Sequence, residues 1–240
     1  MPFTKFESLK KMPFYAVCAD TDGDLTDSKF SGIPWLSSGE SWPKCKNCNS
    51  EMQLLLQLNL STLPKESTVA GAGLMQIFYC TSSDPHCEVD CGSWFWNDKA
   101  MLARLVNPSG ESHSYNQTPV ADAFPAKVIR RWEPGELELP RVEELIGLQE
   151  ISEDEQTELY DAEDSETYPG PEGGDKLGGW PYWIQSVEYP ECRQCNQTMK
   201  LVFQIDSEVN VPYMWGDAGC GHVTQCPEHP EVISFGWACS

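Results

Sequence analysis

The sequence predicts a mostly β fold: an internally duplicated all-β unit forming an intrachain pseudo-dimer, with a short acidic helix in the connector. Three observations carry that expectation. The stretch WPKCKNCNSEMQLLLQL at 42–58 is echoed by YPECRQCNQTMKLVFQI at 189–205. Both stretches alternate at period two rather than 3.6, the mark of a strand. Eighteen glycines and 18 prolines punctuate many short segments, which suits sheets better than long helices.

The repeat is colinear. Shifting the chain by 147 residues aligns 28–58 with 175–205 without a gap, and ten of the 31 positions are identical, among them Lys29/Lys176, Gly32/Gly179, Cys45/Cys192, Cys48/Cys195, Asn49/Asn196 and Gln57/Gln204. After a one-residue slip, Ala72, Gly73 and Cys80 meet Ala218, Gly219 and Cys226. The expected organisation is a single domain over 1–240, with a first repeat at 26–97, inserted strands and an acidic helix and linker at 98–173, and a second repeat at 174–239. In each copy Met52, Leu54, Leu56 and Leu58, or Met199, Leu201, Phe203 and Ile205, form one apolar stripe. LMQIFYC and HVTQC supply a second strand, entered through glycines, and LARLV and AKVIRRW read as further strands. A unit of four or five strands exposes sheet edges that invite pairing with another copy, so a fused pair can satisfy itself.

The connector is set apart by charge. Between Glu133 and Asp175 there are 16 acidic residues and one basic residue, Arg141, so −15 of the formal −21 lies there. LPRVEELIGL has proline where a helix tolerates it and apolar residues at helical spacing; the rest reads as a linker ending in the turn-rich YPGPEGGD. Such a run is either a solvated connector or a docking surface for a basic partner. So acidic a chain is not expected to bind nucleic acid, which needs clustered Lys and Arg. No apolar run approaches the roughly 20 residues of a membrane span, and none of signal-peptide length opens the chain. A cytoplasmic protein with no membrane partner is expected.

SKFSGIPWL, WPKCKNCNSEMQLLLQLNL, GLMQIFYC, FPAKVIRRWEP and GDAGCGHVTQCPEHPEVISFGWAC resemble the YwqG-like family, a largely bacterial family, over nearly the full chain from about residue 26. The lead-in with its Cys-x-x-Cys strand, and the strand after it, more distantly resemble eukaryotic programmed cell death protein 2 and its ribosome-biogenesis relatives. That resemblance implies an all-β domain born by duplication of a strand-exchanging unit, with protein-binding, chaperone-like roles.

The sharpest chemical motifs are the two Cys-x-x-Cys pairs. Cys45, Cys48 and Cys80, and likewise Cys192, Cys195 and Cys226, are candidate ligands of a structural Zn²⁺, because two thiolates of one tight turn can meet one tetrahedral ion. Cys87, Cys91 or His86 can complete the first set, and Cys220, His222, His229 or Cys239 the second; alternatively the two pairs meet in one shared four-cysteine site. The competing reading is that these are small, buried, reduced cysteines. Eleven cysteines without a secretory signal argue against a disulfide framework. No nucleophile elbow, phosphate loop or His-Glu-x-x-His helix occurs, so no catalytic set is nominated. Trp35 and Trp180, beside the Gly-x-Pro elements, and Gln57 and Gln204, opposite the apolar stripes, are the candidate partner-binding residues, with core packing or backbone hydrogen bonding as the structural alternative. The expected function is a non-enzymatic protein-interaction or chaperone-like module for a protein client of basic character. The alternative is an enzyme or small-ligand binder with its site between the repeats.

Overall fold

The computed structural model describes residues 3–67, 69–87, 95–96, 99–113 and 115–240. Its strands are β1 (Pro13–Ala19), β2 (Lys29–Phe30), β3 (Gln53–Asn59), β4 (Leu74–Tyr79), β5 (Met101–Val106), β6 (Lys127–Pro134), β7 (Lys176–Gly178), β8 (Lys200–Asp206), β9 (Cys220–Gln225) and β10 (Ile233–Ala238), with helices α1 (Val142–Leu148) and α2 (Glu153–Asp164) between β6 and β7. All ten strands join one antiparallel sheet in the order β10-β9-β8-β7-β1-β6-β2-β3-β4-β5. The sheet curls until its two outer strands, β5 and β10, approach each other, but no ladder joins them among the described residues. The fold is therefore mostly β and nearly closed.

Counted as β1–β5 and β6–β10, the order has a simple rule. The first strand of each group lies against the second strand of the other: β1 pairs with β7, β6 pairs with β2, and β1 and β6 pair with each other at the centre. Ladders recur at the 147-residue offset. Lys29 faces Gln57 and Phe30 faces Leu56 in β2/β3, while Lys176 faces Gln204 and Leu177 faces Phe203 in β7/β8.

Both long hairpins carry a bulge at the same place, between Leu54 and Leu56 in β3 and between Leu201 and Phe203 in β8. A bulge sets two residues against one and so switches which face the following side chains occupy. The single apolar stripe expected from the sequence is accordingly split. Met52 and Leu54 pack outward with Cys45 and Cys80, whereas Leu55, Leu56 and Leu58 join the interior of the curled sheet. Inside, Phe30 of one half meets Phe203 of the other at 5.8 Å, and Trp215 packs against Tyr79 and Phe235 at 5.3 and 5.4 Å.

Under the shared Lys and Gly positions lie two ion pairs. Lys29 Nζ is 2.7 Å from Asp22 and Lys176 Nζ is 2.9 Å from Glu138, with both lysines fully buried. The same carboxylates accept the backbone N–H of Ile33 and of Trp180, positions again 147 apart. Gly32 (φ +79°) and Gly179 (φ +70°) turn the chain over them, and a Cβ at either would collide with the carboxylate. Asp22 follows β1 and Glu138 follows β6, so each carboxylate comes from the loop after one of the two central strands.

The connector departs from expectation. Its second part is not a plain linker but helix α2, opened by a capping box in which Ser152 accepts the Glu155 N–H and Glu155 caps the Ser152 N–H. Leu159 of α2 and Leu145 of α1 bury against Phe6, Leu139, Val142 and Tyr168 in a second, smaller core, and the Tyr168 hydroxyl donates to Pro140 O at 2.6 Å. The acidic side chains Glu153, Asp154, Glu158 and Asp161 remain exposed. Among the described residues no helix is long and apolar enough to cross a membrane.

Candidate metal centres and the seam between the halves

Each Cys-x-x-Cys pair sits on a tight turn of the same construction. Cys45 N–H donates to Ser50 O and Asn49 N–H to Cys45 O, both at 2.8 Å; Cys192 to Gln197 and Asn196 to Cys192 repeat the pattern at the same distances. Asn49 (φ +65°) and Asn196 (φ +59°) take the left-handed conformation that closes the turn, one that asparagine tolerates better than most side chains. The turned backbone then points amides at sulfur: Asn47 N–H reaches Cys45 Sγ at 3.3 Å and Gln194 N–H reaches Cys192 Sγ at 3.4 Å.

The loops after β4 and β9 bring the remaining donors. Cys45, Cys48, Cys80 and Cys87 form one group, and Cys192, Cys195, Cys226 and His229 another, with the four donor atoms of each group all within 4.8 Å of one another. All six cysteines expected as ligands are thus assembled, three in each group, and the fourth donors are Cys87 and His229. The groups are separate, so the shared four-cysteine arrangement is not the one adopted. Tetrahedral coordination with metal–sulfur bonds of about 2.3 Å places sulfurs about 3.8 Å apart. Cys45 and Cys87 are 3.7 Å apart, Cys48 and Cys80 3.5 Å, and Cys195 and Cys226 3.6 Å; His229 Nδ1 is 3.7 Å from Cys226 and 3.9 Å from Cys192. These spacings exclude disulfides, whose sulfurs lie about 2.05 Å apart. Both groups can hold a metal ion.

Electrostatics favours a cation at the first group. Burial works against a thiolate at Cys48, yet hydrogen bonds from the Ser50 side chain and backbone, and from Cys80 and Cys45, outweigh it and bring its pKa down to about 6. Burial pushes Cys80 well above the ordinary thiol range and Cys87 up to about 11.

Other candidates have different surroundings. Cys220 is fully buried and donates to Ile205 O at 3.6 Å. His222 stacks on Trp183 at 4.6 Å, with Nε2 buried and unpartnered. Cys91 lies outside the described residues. Gln57 Nε2 donates to Leu25 O and Asp27 O while its Oε1 accepts from Trp35 N–H and Gln76; Gln204 donates to Glu172 O and Gly174 O and accepts from Tyr182 N–H. Each main-chain partner is displaced by 147 residues. Gln57 and Gln204 are fully buried, and Trp35 and Trp180 are buried too. Here the two glutamines brace backbone and the two tryptophans pack inside the fold.

Each metal group also anchors a seam strand. Cys80 N–H donates to Ala100 O and Lys46 N–H to Lys99 O just before β5, while Cys226 N–H donates to Val232 O just before β10. Between the two turns the seam opens into a cleft of about 450 Å³ lined by the first three residues of β5 and of β10, with Lys44, Lys46 and Arg193 at its rim. Sequence reasoning placed its alternative ligand site between the repeats but named none of these lining residues, because nothing in either strand alone signals that their edges meet.

The chain belongs to the family described as Domain of unknown function (DUF1963), whose model matches residues 28–228. No curated protein matches the chain.

Proposed function

We propose that this member of the DUF1963 family is a non-enzymatic protein-interaction module, chaperone-like toward its client, whose β frame is completed by two structural zinc ions. Zinc suits the donors: four thiolates in one group and three thiolates with one imidazole in the other, at tetrahedral spacing. Four protein ligands leave no open position for a substrate, so the ions would stabilise rather than catalyse. The observation that carries the reading is the seam, where two strand edges without a ladder partner among the described residues lie between the metal groups. Free edges take up extended segments of other chains. The enzymatic alternative has less to stand on, since among the described residues the inter-half cleft is lined by no histidine and by one carboxylate, Glu231.

The exposed acidic face of α2 suits a basic client and the chain's charge disfavours nucleic acid; free cysteines fit the reducing cytoplasm. The recurrence of ladders, turns and hydrogen bonds at one offset supports an origin by duplication. The repeating unit would then run from β1 to β5 and from β6 to β10, wider than 26–97 and 174–239, with first strands exchanged. Kinship with the YwqG-like family, and more distantly with programmed cell death protein 2, agrees with this reading. Elemental analysis of reduced protein should find two zinc ions per chain. A low-salt pull-down should retain one or a few basic proteins, and changing Glu153, Asp154, Glu158 and Asp161 to their amides should weaken retention. Retention of no protein at any salt, with a metabolite bound in the cleft instead, overturns the interaction reading.

A further inference from the structure

Resting on the zinc reading above, we infer that the Cys192, Cys195, Cys226 and His229 group is the clasp of the curled sheet. With zinc bound, these residues hold the first half against the second; emptied, they let the seam open. The Cys45, Cys48, Cys80 and Cys87 group serves its own half alone. Three observations point there. The first is an amide. Gln225 ends β9 immediately before the ligand Cys226, at 4 % exposure. Its Oε1 accepts the Ala70 N–H at 3.0 Å, while its Nε2 donates to Ala70 O at 2.9 Å and to Pro230 O at 2.8 Å. One side chain therefore grips the main chain of the first half and the residue that follows the ligand His229. Gly71 comes so near that a Cβ there would lie 3.5 Å from Pro230 Cβ. The equivalent position in the first half, just before Cys80, is Tyr79, whose ring packs in the core instead.

The second is packing. Trp96, from the first half, packs against the cluster of Cys192, Met199 and Cys226. The Phe95 ring lies against Gly236 of β10, where a Cβ would come within 2.9 Å of it. Among the described residues the apolar neighbours of the first group, Met52, Leu54, Phe78, Ala100 and Leu102, all come from its own half. The two groups are thus alike in construction and unlike in what they join.

The third is the loop between the ligands. The turn from Cys226 to His229 rests on a 3.4 Å bond from the His229 N–H to Cys226 Sγ and a 2.8 Å bond from the Val232 N–H to His229 O. Coordination of both residues by one ion fixes both ends of this turn and, with them, the Pro230 carbonyl that Gln225 holds. Without that constraint the two bonds to Ala70 stand in competition with water, and such bonds contribute little singly. No ladder joins β5 to β10 among the described residues, so closure of the seam falls to these ties and to the Trp237 Nε1 bond with the Tyr79 hydroxyl at 3.3 Å. Interior contacts such as Phe30 on Phe203 keep the halves together at the centre. The opening is therefore local, at 69–73 and along β10, and it bares the strand edge when zinc is scarce.

The test compares full-length proteins by zinc content and hydrogen exchange, in which the Ala70 amide, bonded to Gln225, reports the clasp directly. His229→Ala and Cys48→Ser should each keep one zinc ion per chain. Exchange at 69–73 and 233–238 should quicken about tenfold or more in His229→Ala and stay as in the wild type in Cys48→Ser, with 201–205 slow in all three. Gln225→Ala should keep both ions and still lose protection at 69–73. A further measurement needs no His229 variant: in Cys48→Ser, protection at 69–73 should fall when a chelator removes the remaining ion and return when zinc is added back. Protection at 69–73 that survives emptying of the second group or Gln225→Ala, equal quickening by Cys48→Ser, or loss of protection at 201–205 as well overturns the clasp and leaves the zinc reading standing. Reduced wild-type protein that holds no zinc overturns both.

Discussion

Replacing His222 by glutamine tests the reasoning about the core most sharply. His222 occupies, in the second half, the place that Gln76 holds in the first, and it is fully buried on β9 between Gln204 of β8 and Gly236 of β10. Burial, assisted by the charge of Lys176 and opposed only by a hydrogen bond to the Tyr182 backbone, lowers its pKa to about 3. A base with a depressed folded pKa is neutral in the fold, so acid favours the unfolded chain, where the imidazole takes a proton near pH 6.5. The stability is fully present above pH 6.5 and is lost as pH falls from 6.5 toward 3. Between pH 7.5 and 5.5 the loss is about 1.4 kcal/mol, or roughly 3–6 °C in melting temperature for a chain of this size. Other acid-sensitive groups, the candidate metal ligands among them, are common to the wild type and His222→Gln. Denaturant unfolding of both at pH 7.5 and 5.5 therefore isolates the histidine as a double difference of about 1.4 kcal/mol. Equal losses in the two proteins, or a resonance that is lost in His222→Gln and titrates near pH 6.5 in the folded wild type, would refute the argument.

The two ion pairs should differ in sensitivity: burial raises the pKa of Glu138 and lowers that of Lys176 despite their attraction, so Glu138→Gln should cost about 3–5 kcal/mol in chemical denaturation. Asp22, a third exposed, can be replaced by water, and Asp22→Asn should cost clearly less. Chelating the metal from folded protein should lower the melting temperature by several degrees, with Cys48→Ser and Cys195→Ser each lowering zinc content by one ion per chain; unchanged melting with full metal removal would show that the groups do not stabilise the fold. Gln204→Ala strands the carbonyls of Glu172 and Gly174 and the Tyr182 amide and should cost about 2–4 kcal/mol, which equilibrium unfolding measures. Ser152→Ala removes the α2 cap and should cost about 1 kcal/mol, seen as faster amide exchange in α2 with β7 and β8 unaffected.

Much of the frame was legible because 28–58 and 175–205 resemble each other at an offset of 147 residues. Gln57 and Gln204 stood out as polar residues on apolar strands, and Cys45, Cys48 and Cys80 with their counterparts stood out by spacing. What stayed hidden is what only one half contains. Cys87 and His229 are not counterparts of each other, so no alignment of the halves singles them out from Cys91 or Cys239. Asp22 and Glu138 serve equivalent lysines from loops whose sequences share nothing. The strand β1, with Pro13 at its start and no strong alternation, acquires its identity only by pairing with β6 and β7. Helix α2 carried a readable signal in Ser152 and Glu155, but its charge density masked it, since a single leucine, Leu159, fastens it to the core.

The place of β1 between β7 and β6 has a consequence for how the molecule is made. Six strands, β1 to β6, leave the ribosome before β7 exists, and until then the outer edge of β1 has no neighbour, because only Lys176–Gly178 covers Pro13–Tyr15. At roughly 5–20 residues per second, the stretch from Glu133 to Asp175 takes about 2–9 s to synthesise. That stretch carries −15. Over that stretch the net charge of the nascent chain goes from −2 to −17 while the edge is still bare, and like charge keeps neighbouring chains on a polysome apart until β7 arrives to cover it.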